Sequence, residues 1–311
     1  MRRLSSCGIG ENQSGQALFK RESGQALLIV LLSMAVVLTI VLSILSFSVT
    51  DVAISSREEE ALRAFSAAEA GIEKSLLAGT GSIGSFEAAS FDAAVTNVGE
   101  GAKTFVYPQG LALGDTATVW FVSHADTSGF VCSAEKPCFT GSQIKVCWGR
   151  SGTSDAVPVT PALEASVVYL ATPGDYSSAR IARAAIDPNA SRRGTNLFAA
   201  PSAGGCVVEG NSYAFQTTLD FSTLGILPAV YNVENGLQYM TVKLLYNTTT
   251  AHGFGVDVNF AGATLLPSQG DKIVSTGTAG EATRKVEVFR LFSNLPTAFN
   301  SVLFISGGIT K

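Results

Sequence analysis

The chain has 311 residues, of which 46% are hydrophobic and 15% are charged, and its formal net charge is −4 at pH 7. A slightly acidic chain lacks the basic surface that binds nucleic acid, so we predict no nucleic-acid partner. Beyond its first apolar segment no stretch approaches the length of about 18 uncharged apolar residues that would indicate a second membrane helix. The composition therefore excludes a polytopic membrane protein.

The first predicted element is a membrane-spanning helix. Residues 23–50 carry no charged side chain, and about 20 apolar residues suffice to cross a bilayer core as a helix. The first charge after this segment is Asp51, whereas its N-terminal flank carries Arg2, Arg3, Lys20 and Arg21. This asymmetry predicts a cytoplasmic N-terminus and an exported remainder, as in a single-pass membrane protein.

The helix is predicted to continue beyond the membrane. Residues 51–77 contain no proline and a single glycine, Gly71, and they are rich in Ala, Glu, Leu and Arg, which favour helices. A continuous helix over residues 25–77 would be a rod of roughly 80 Å. One face of its exported part carries the apolar residues that we expect to pack in the rod: Leu62, Phe65, Ile72 and Leu76.

Two polar patterns on this helix each have two interpretations. The small hydroxyl residues Thr39, Ser43, Ser46 and Thr50 recur every three or four positions. They either let neighbouring membrane helices approach closely, which we favour, or bond to their own backbone. The acidic residues 58–60 either form a solvated face with a Glu59–Arg63 pair, which we favour, or face charges on neighbouring subunits.

The N-terminal region resembles that of type IV prepilins. The features that carry the resemblance are a basic leader ending at Gly24, an unbroken apolar helix from Gln25, and AFSAAEAGIE at residues 64–73. More narrowly it is similar to PilX-type minor pilins and to type II secretion pseudopilins, over residues 20–77 only. The resemblance implies that a prepilin peptidase removes residues 1–24 by cutting between Gly24 and Gln25, and then methylates Gln25. The sequence Ser-Gly-Gln-Ala-Leu also occurs at residues 14–18, but only the second copy precedes the apolar run.

Two positions depart from the pattern of major pilins. Major pilins usually begin with Phe and carry Glu at the fifth mature position, where it is thought to neutralise a neighbour's N-terminal amine. Gln25 and Ile29 stand at these positions here, which favours a minor or tip-like subunit. The resemblance further implies other pilin subunits, an assembly platform protein and an assembly ATPase as partners, and a final location at the cell surface or in a pilus.

The remaining residues predict a β-rich head, and thus an α+β fold. Residues 78–102 are rich in Gly and Ser and are predicted to be a linker. Residues 103–311, as one or two domains, contain alternating β-branched and aromatic runs typical of antiparallel strands. These runs are 103–107, 116–123, 143–148, 166–171, 212–219, 238–246, 255–260, 285–292 and 301–305. Residues 187–194 and 201–205 are predicted loops, and the Ala-rich residues 162–186 have a short helix as an alternative.

The cysteines predict disulfides on the exported side. Cys7 lies in the leader, which leaves an even set of Cys132, Cys138, Cys147 and Cys206, and exported cysteines are expected to be oxidised. Of the three possible pairings we favour Cys132 with Cys138 and Cys147 with Cys206. A zinc site is the alternative, but the spacing contains no C-x-x-C pair.

No catalytic constellation, cofactor motif or metal site is apparent. The two histidines, His124 and His252, are not flanked by a G-x-S-x-G motif, and we interpret each as a surface polar residue. We therefore predict a structural filament subunit. An anchored surface adhesin outside any filament is one alternative, and an anchored hydrolase that uses a histidine is another. A cleaved secretory signal, with a cut at residues 46–48, is an alternative for the N-terminus.

Overall fold

A computed structural model describes residues 23–125 and 129–293. Lys20, Arg21 and the predicted strand at residues 301–305 lie outside the described residues. The fold is α+β, as predicted: a long N-terminal helix is followed by antiparallel sheets.

Helix α1 extends over Ser23–Ala78 without interruption, which confirms the prediction of a continuous helix over residues 25–77. It ends because Gly79 adopts a left-handed conformation, with φ of 70°. In this conformation the Gly79 N–H donates to the Ser75 carbonyl oxygen at 2.8 Å, which caps the last turn. A glycine is favoured at this position since it has no Cβ to clash.

The rest of the described chain contains two short α-helices, one 3₁₀ helix (Tyr176–Ser178) and fifteen strands. The α-helices are α2 (Ala190–Asn196) and α3 (Pro228–Tyr231). The strands before residue 150 are β1 (Ser82–Phe86), β2 (Ala89–Asn97), β3 (Thr104–Val106), β4 (Thr116–Trp120), β5 (Ser123–His124), β6 (Phe130–Val131) and β7 (Gln143–Arg150). Those that follow are β8 (Ala162–Leu170), β9 (Ala179–Ile186), β10 (Cys206–Val208), β11 (Asn211–Asp220), β12 (Leu237–Leu245), β13 (Phe254–Asp257), β14 (Gly270–Ala279) and β15 (Ala282–Leu291).

A four-stranded antiparallel sheet packs on the C-terminal part of α1. Its strand order is β1-β2-β14-β15, and it is called the proximal sheet below. Alternate residues of β2 and β14 face the helix and are buried, including Phe91, Ala93, Ile273 and Ser275. The other face carries polar residues, among them Ser90 and Thr278, whose hydroxyls are 2.8 Å apart. One face on the helix and one in water is a common arrangement for an antiparallel sheet.

Residues 98–269 are an insertion between two neighbouring strands of the proximal sheet. The chain leaves after β2 and returns into β14 at adjacent positions, where the Val98 N–H donates to the Gly270 carbonyl and the Gln269 N–H to the Val98 carbonyl, both at 2.8 Å. The sequence alone did not distinguish one domain from two. The structure shows that residues 98–269 form separate sheets from the proximal sheet that packs on the helix.

The inserted unit is a β-sandwich. One sheet has the order β10-β11-β7-β13-β3 and the other β4-β12-β8-β9. Inward residues of both sheets share one hydrophobic core, whose largest fully buried side chains include Trp148, Phe105, Phe121, Phe139 and Phe254. Two antiparallel sheets packed face to face around a common core define this architecture.

Two sequence predictions in this region are wrong, and one alternative is excluded. Residues 78–102 are not a linker, since they contain β1 and β2; the Gly and Ser content concealed the alternation of buried Ala89, Phe91 and Ala93 with exposed polar residues. In the Ala-rich residues 162–186 the predicted strand at residues 166–171 is confirmed and the alternative of a short α-helix is not, since Val, Ile and Leu of β8 and β9 fill the sandwich core. Helix α2 lies partly in the predicted loop 187–194 and is capped by the Asn189 side chain, which accepts from the Arg192 N–H.

Both favoured cysteine pairs lie at disulfide distance. Cys132 and Cys138 have Cα atoms 5.2 Å apart and close a short loop. Cys147 in β7 and Cys206 in β10 have Cα atoms 6.1 Å apart. The second pair joins strands that are not direct neighbours in their sheet, since β11 lies between β10 and β7. The prediction of these two pairings is confirmed.

Candidate functional site

The candidate functional site is α1, of which the first part projects away from the rest of the chain. Every described side chain from residue 25 to residue 59 is exposed, so roughly 50 Å of helix, at 1.5 Å per residue, buries no described side chain against the head. By length and composition, this is the one helix of the described chain that suits a membrane span. An apolar helix without a partner of its own needs lipid or other helices around it.

The hydroxyl stripe of this projecting segment is partly satisfied within the helix. The Thr39 hydroxyl donates to the Val36 carbonyl at 2.8 Å, and the Thr50 hydroxyl donates to the Ser46 carbonyl at 2.9 Å. These bonds agree with the interpretation of local backbone bonding. The small size of the four residues still leaves a shallow strip on the helix, so a packing role for Ser43 and its neighbours stays a prediction.

Glu60 is the first residue of α1 with a described side chain that is half-buried. One Glu60 carboxylate oxygen accepts from the Glu281 N–H at 3.2 Å, at the turn between β14 and β15. Gly280 in that turn has φ of 55° and lies against the Glu60 carboxylate. On the neighbouring part of the helix, the predicted ion pair of Arg63 with Glu59 is present. Glu60 therefore fixes the end of the hairpin nearest the apolar segment to the helix.

Small residues make the contact between the rod and the proximal sheet. Ala64, Ala67 and Ala68 are fully buried there, and Gly277 of β14 lies directly beneath them. A Cβ atom added to Gly277 would be 2.6 Å from the Ala68 nitrogen and closer still to the Ala64 carbonyl oxygen. The two backbones therefore approach to a distance that no other side chain at position 277 permits.

The predicted apolar packing face is split by this arrangement. Ile72 is buried and Leu76 is half-buried, but Leu62 is 68% exposed and Phe65 is 43% exposed. Only Ile72 and Leu76 therefore pack against the head, because the rod turns its alanines toward its own sheet. Packing of Leu62 and Phe65 against other helices stays a prediction. Leu62 instead lines an open groove of about 200 Å³ together with Phe86 of β1.

The sequence contains a signal for this small-residue face that the prediction from large apolar residues missed. Small residues occur at positions 64, 67, 68, 71 and 75, which is the spacing of one helix face. Gly71, at its centre, would bring an added Cβ to 2.8 Å from the Phe91 ring. A search for large apolar residues misses such a face, because close backbone contact requires the absence of side-chain volume.

Both histidines are held by packing or hydrogen bonds within the head. His252 is buried, and its Nδ1 accepts from the Arg150 N–H at 3.0 Å; burial, and then the Arg150 charge, lower its pKa. The His124 ring stacks on Phe292 at 3.7 Å between centroids and meets Trp120 edge-on, and burial lowers its pKa. The interpretation of His252 as a surface residue is wrong. In residues 23–125 and 129–293, no cluster of His, Cys, Asp and Glu suits a metal ion.

A buried carboxylate organises one end of the sandwich. Asp187 is fully buried and accepts from the Arg192 side chain at 2.9 and 2.7 Å, from the Asn189 N–H at 2.8 Å and from the Asn196 amide at 2.7 Å. Burial alone would raise the pKa of Asp187, but these bonds outweigh it and hold the pKa below its ordinary value. This network joins α2 to the loop that precedes β8, because Arg192 also bonds to the Thr160 carbonyl at 2.7 Å.

No family model, no curated protein and no solved structure matches this chain. Its function is therefore inferred from its own residues.

Proposed function

We propose that this chain is a minor pilin or pseudopilin-like subunit of a type IV pilus or related filament, released from its leader by cleavage after Gly24. The observation that carries the proposal is the form of α1, which is one helix over Ser23–Ala78. The described side chains of its first part, residues 25–59, are exposed, and its last part packs on an antiparallel sheet. Such a helix suits storage in a membrane and later packing among equivalent helices.

The outward face of the rod supports assembly over simple anchoring. Beyond the uncharged segment, Val52, Ile54, Leu62 and Phe65 are exposed, although they belong to the exported part of the chain. Full burial of such a side chain is worth about 1.5–3 kcal/mol. A lone anchor would leave these side chains in water, whereas neighbouring rods in a filament would cover them.

The residues at the proposed mature N-terminus support a minor subunit. Gln25 and Ile29 provide no carboxylate for a neighbour's terminal amine, and an unpaired carboxylate in lipid would be unfavourable. A subunit of this kind joins a filament through apolar packing alone. Such a subunit suits a position where it has fewer neighbouring subunits whose N-terminal amines need a carboxylate, such as the filament tip.

The alternative function is a surface adhesin that is anchored by the same helix but never assembled. The insertion at residues 98–269 favours it, because a separate β-sandwich held above the membrane is suited to binding a partner. It predicts an N-terminus that is not processed at Gly24.

The experiment is the mass of the mature N-terminal peptide, isolated from membranes of the native host. We expect a methylated peptide that begins at Gln25, lost in Gly24→Lys and kept in the matched control Gly15→Lys, which alters the upstream copy of the same five residues. A peptide that retains residues before Gln25 would support the anchored adhesin. One that begins near residue 49 would indicate an ordinary secreted protein.

A further inference from the structure

The β-sandwich carries an open cleft beside α2. Its volume is about 440 Å³, within the range of about 300–1,000 Å³ that is usual for small-ligand sites. It is lined by residues 153–155 and 200–205, by Pro188 and Arg193, and by Ala214 and Phe215 of β11. All of these positions belong to the described part of the chain. The cleft therefore has the size of a site for a small molecule or for one unit of a polymer.

Both loops that line the cleft are held by hydrogen bonds. In the first loop, the Ser154 carbonyl oxygen accepts from the Thr160 hydroxyl at 2.7 Å. In the second, the Ser202 N–H donates to the Gln216 carbonyl at 2.9 Å, and the Gln216 side-chain amide donates to the Ala203 carbonyl at 3.0 Å. Because its walls are fixed in advance, such a cleft loses little conformational freedom when a ligand binds.

Arg193 brings a positive charge to the cleft, and its position is fixed. Its Nη1 donates to the carbonyl oxygens of Asp187 and Pro188 at 2.8 and 2.9 Å. Within residues 23–125 and 129–293, no carboxylate lies within 4 Å of the Arg193 guanidinium, and its Nη2 and Nε form no hydrogen bond. The planar N–H groups of a guanidinium match the two oxygens of a carboxylate. Arg193 is therefore a preformed partner for a ligand carboxylate.

The other lining residues suit a ligand with several hydroxyl groups. Ser154 and Ser202 are exposed hydroxyl residues, and the exposed Asp155 provides a hydrogen-bond acceptor. Pro201 adds apolar surface, which matches the apolar face of a sugar ring. Asp155 and Arg193 form no ion pair with each other although both line the cleft, so each is available to the ligand. A ligand that combines a carboxylate with hydroxyl groups uses all of these residues.

We propose that this cleft binds a hexuronate, a monosaccharide unit that carries a carboxylate at C6. The carboxylate pairs with Arg193, and the hydroxyl groups bond to Asp155, Ser154 and Ser202. Hexuronates are units of acidic polysaccharides, so the sandwich attaches the chain to a polymer of this kind. The proposal rests on the sandwich alone, and it does not depend on the filament function.

The test is saturation-transfer NMR with the full chain in a detergent that has no sugar headgroup. The probes are D-galacturonate and D-glucuronate, and the matched neutral controls are D-galactose and D-glucose, which differ from them at C6. We expect saturable binding of a hexuronate, and binding of its neutral counterpart that is weaker by about tenfold or more, because the charge-assisted bonds to Arg193 are lost. Added salt should weaken hexuronate binding, since it screens the charges.

Two variants locate the binding in the cleft. Arg193→Gln should weaken it by about tenfold or more, whereas Arg180→Gln, which changes an exposed arginine of β9 outside the cleft, should not. Because Arg193 also bonds to two backbone carbonyls, Ala200→Trp is the second variant: it fills the cleft from an exposed position and leaves those bonds intact. It should abolish binding without changing urea unfolding. Its matched control is Ala261→Trp, at an exposed turn outside the cleft.

Several results would overturn the proposal. A lack of saturable binding of both hexuronates would exclude the site. Equal affinity for a hexuronate and its neutral sugar would mean that the carboxylate is not recognised, and equal affinity for acetate would mean that the sugar ring is not. Hexuronate binding that is unchanged in either Arg193→Gln or Ala200→Trp would place the binding outside this cleft.

Discussion

The contact between Gly277 and the rod gives the sharpest test of the fold. In Gly277→Ala the new Cβ would be 2.6 Å from the Ala68 nitrogen, whereas contacts to carbon are optimal at about 3.5–4.0 Å. The atoms that would be displaced belong to the helix backbone, so no side-chain rotation relieves the clash. The rod must therefore move away from the sheet by roughly 1 Å, which forfeits a quarter to a half of the dispersion energy across the contact.

We expect Gly277→Ala to destabilise the contact by about 1–3 kcal/mol, the usual range for overpacking. The assay is hydrogen exchange of residues 64–75 in the detergent-solubilised full chain, where exchange should accelerate by roughly 5- to 150-fold, since 1.36 kcal/mol corresponds to a factor of ten. Gly71→Ala should have a smaller effect, because its Cβ meets the side chains of Ser275 and Phe91 rather than backbone.

The matched control is Gly194→Ala in α2, where an added Cβ meets nothing within 4 Å. Replacing a helical glycine there should leave the stability unchanged or raise it by about 0.4–1 kcal/mol. If the amides of residues 64–75 exchange at the wild-type rate in Gly277→Ala, the inferred close approach of the rod and the sheet is wrong.

Three further predictions concern the sandwich, the end of the insertion at Gln269, and the rod. Asp187→Asn removes the carboxylate that pairs with the partly buried Arg192 and should cost roughly 3 kcal/mol at pH 7. Because the folded-state pKa of Asp187 is lowered, its stabilisation is present above its ordinary value of 3.8 and is lost as the pH falls through the folded value. Urea unfolding should thus show the variant and wild type converging at low pH, and a constant difference would contradict this role. Gln269→Leu removes side-chain bonds to the Trp120 N–H at 2.7 Å and carbonyl at 2.9 Å, and it should cost about 1–3 kcal/mol. Faster exchange of the Trp120 amide would report this loss, and unchanged exchange would contradict it. Phe65→Ser should lower recovery in filaments while leaving unfolding unchanged, since Phe65 is exposed in the isolated chain. Unchanged recovery would mean that this face does not contact neighbouring subunits.

The helix and the disulfide pairs could be predicted from the sequence because their signals are local. A run of uncharged residues, strong helix formers and the glycine at position 79 determine α1. Strands β7, β11 and β12 were also predicted, since their alternation contains Val, Phe, Tyr and Trp. The cysteine pairs followed from an even set of four cysteines after the apolar segment, two of which close a short loop.

The topology could not be predicted in this way, because it depends on contacts between distant residues. Strand β2 pairs with β14 across the whole insertion, and no local pattern marks that partnership. Strand β14 carries Gly270, Ser275 and Gly277, which lower its β-propensity. Of these, Gly277 permits the close approach of the helix. A search for hydrophobic patterns therefore overlooks the small residues of α1 and β14 that hold the helix against the proximal sheet.

The most direct test of the proposed function is the location of the chain after filaments are sheared from cells of the native host. We predict that mass spectrometry detects peptides of residues 98–269 in the sheared filament fraction, in low amounts relative to a major subunit. Gly24→Lys should abolish this signal and retain the chain in the membrane, whereas Gly15→Lys should not. Recovery of the unaltered chain only in membranes, while other pilins appear in the filaments, would contradict the account.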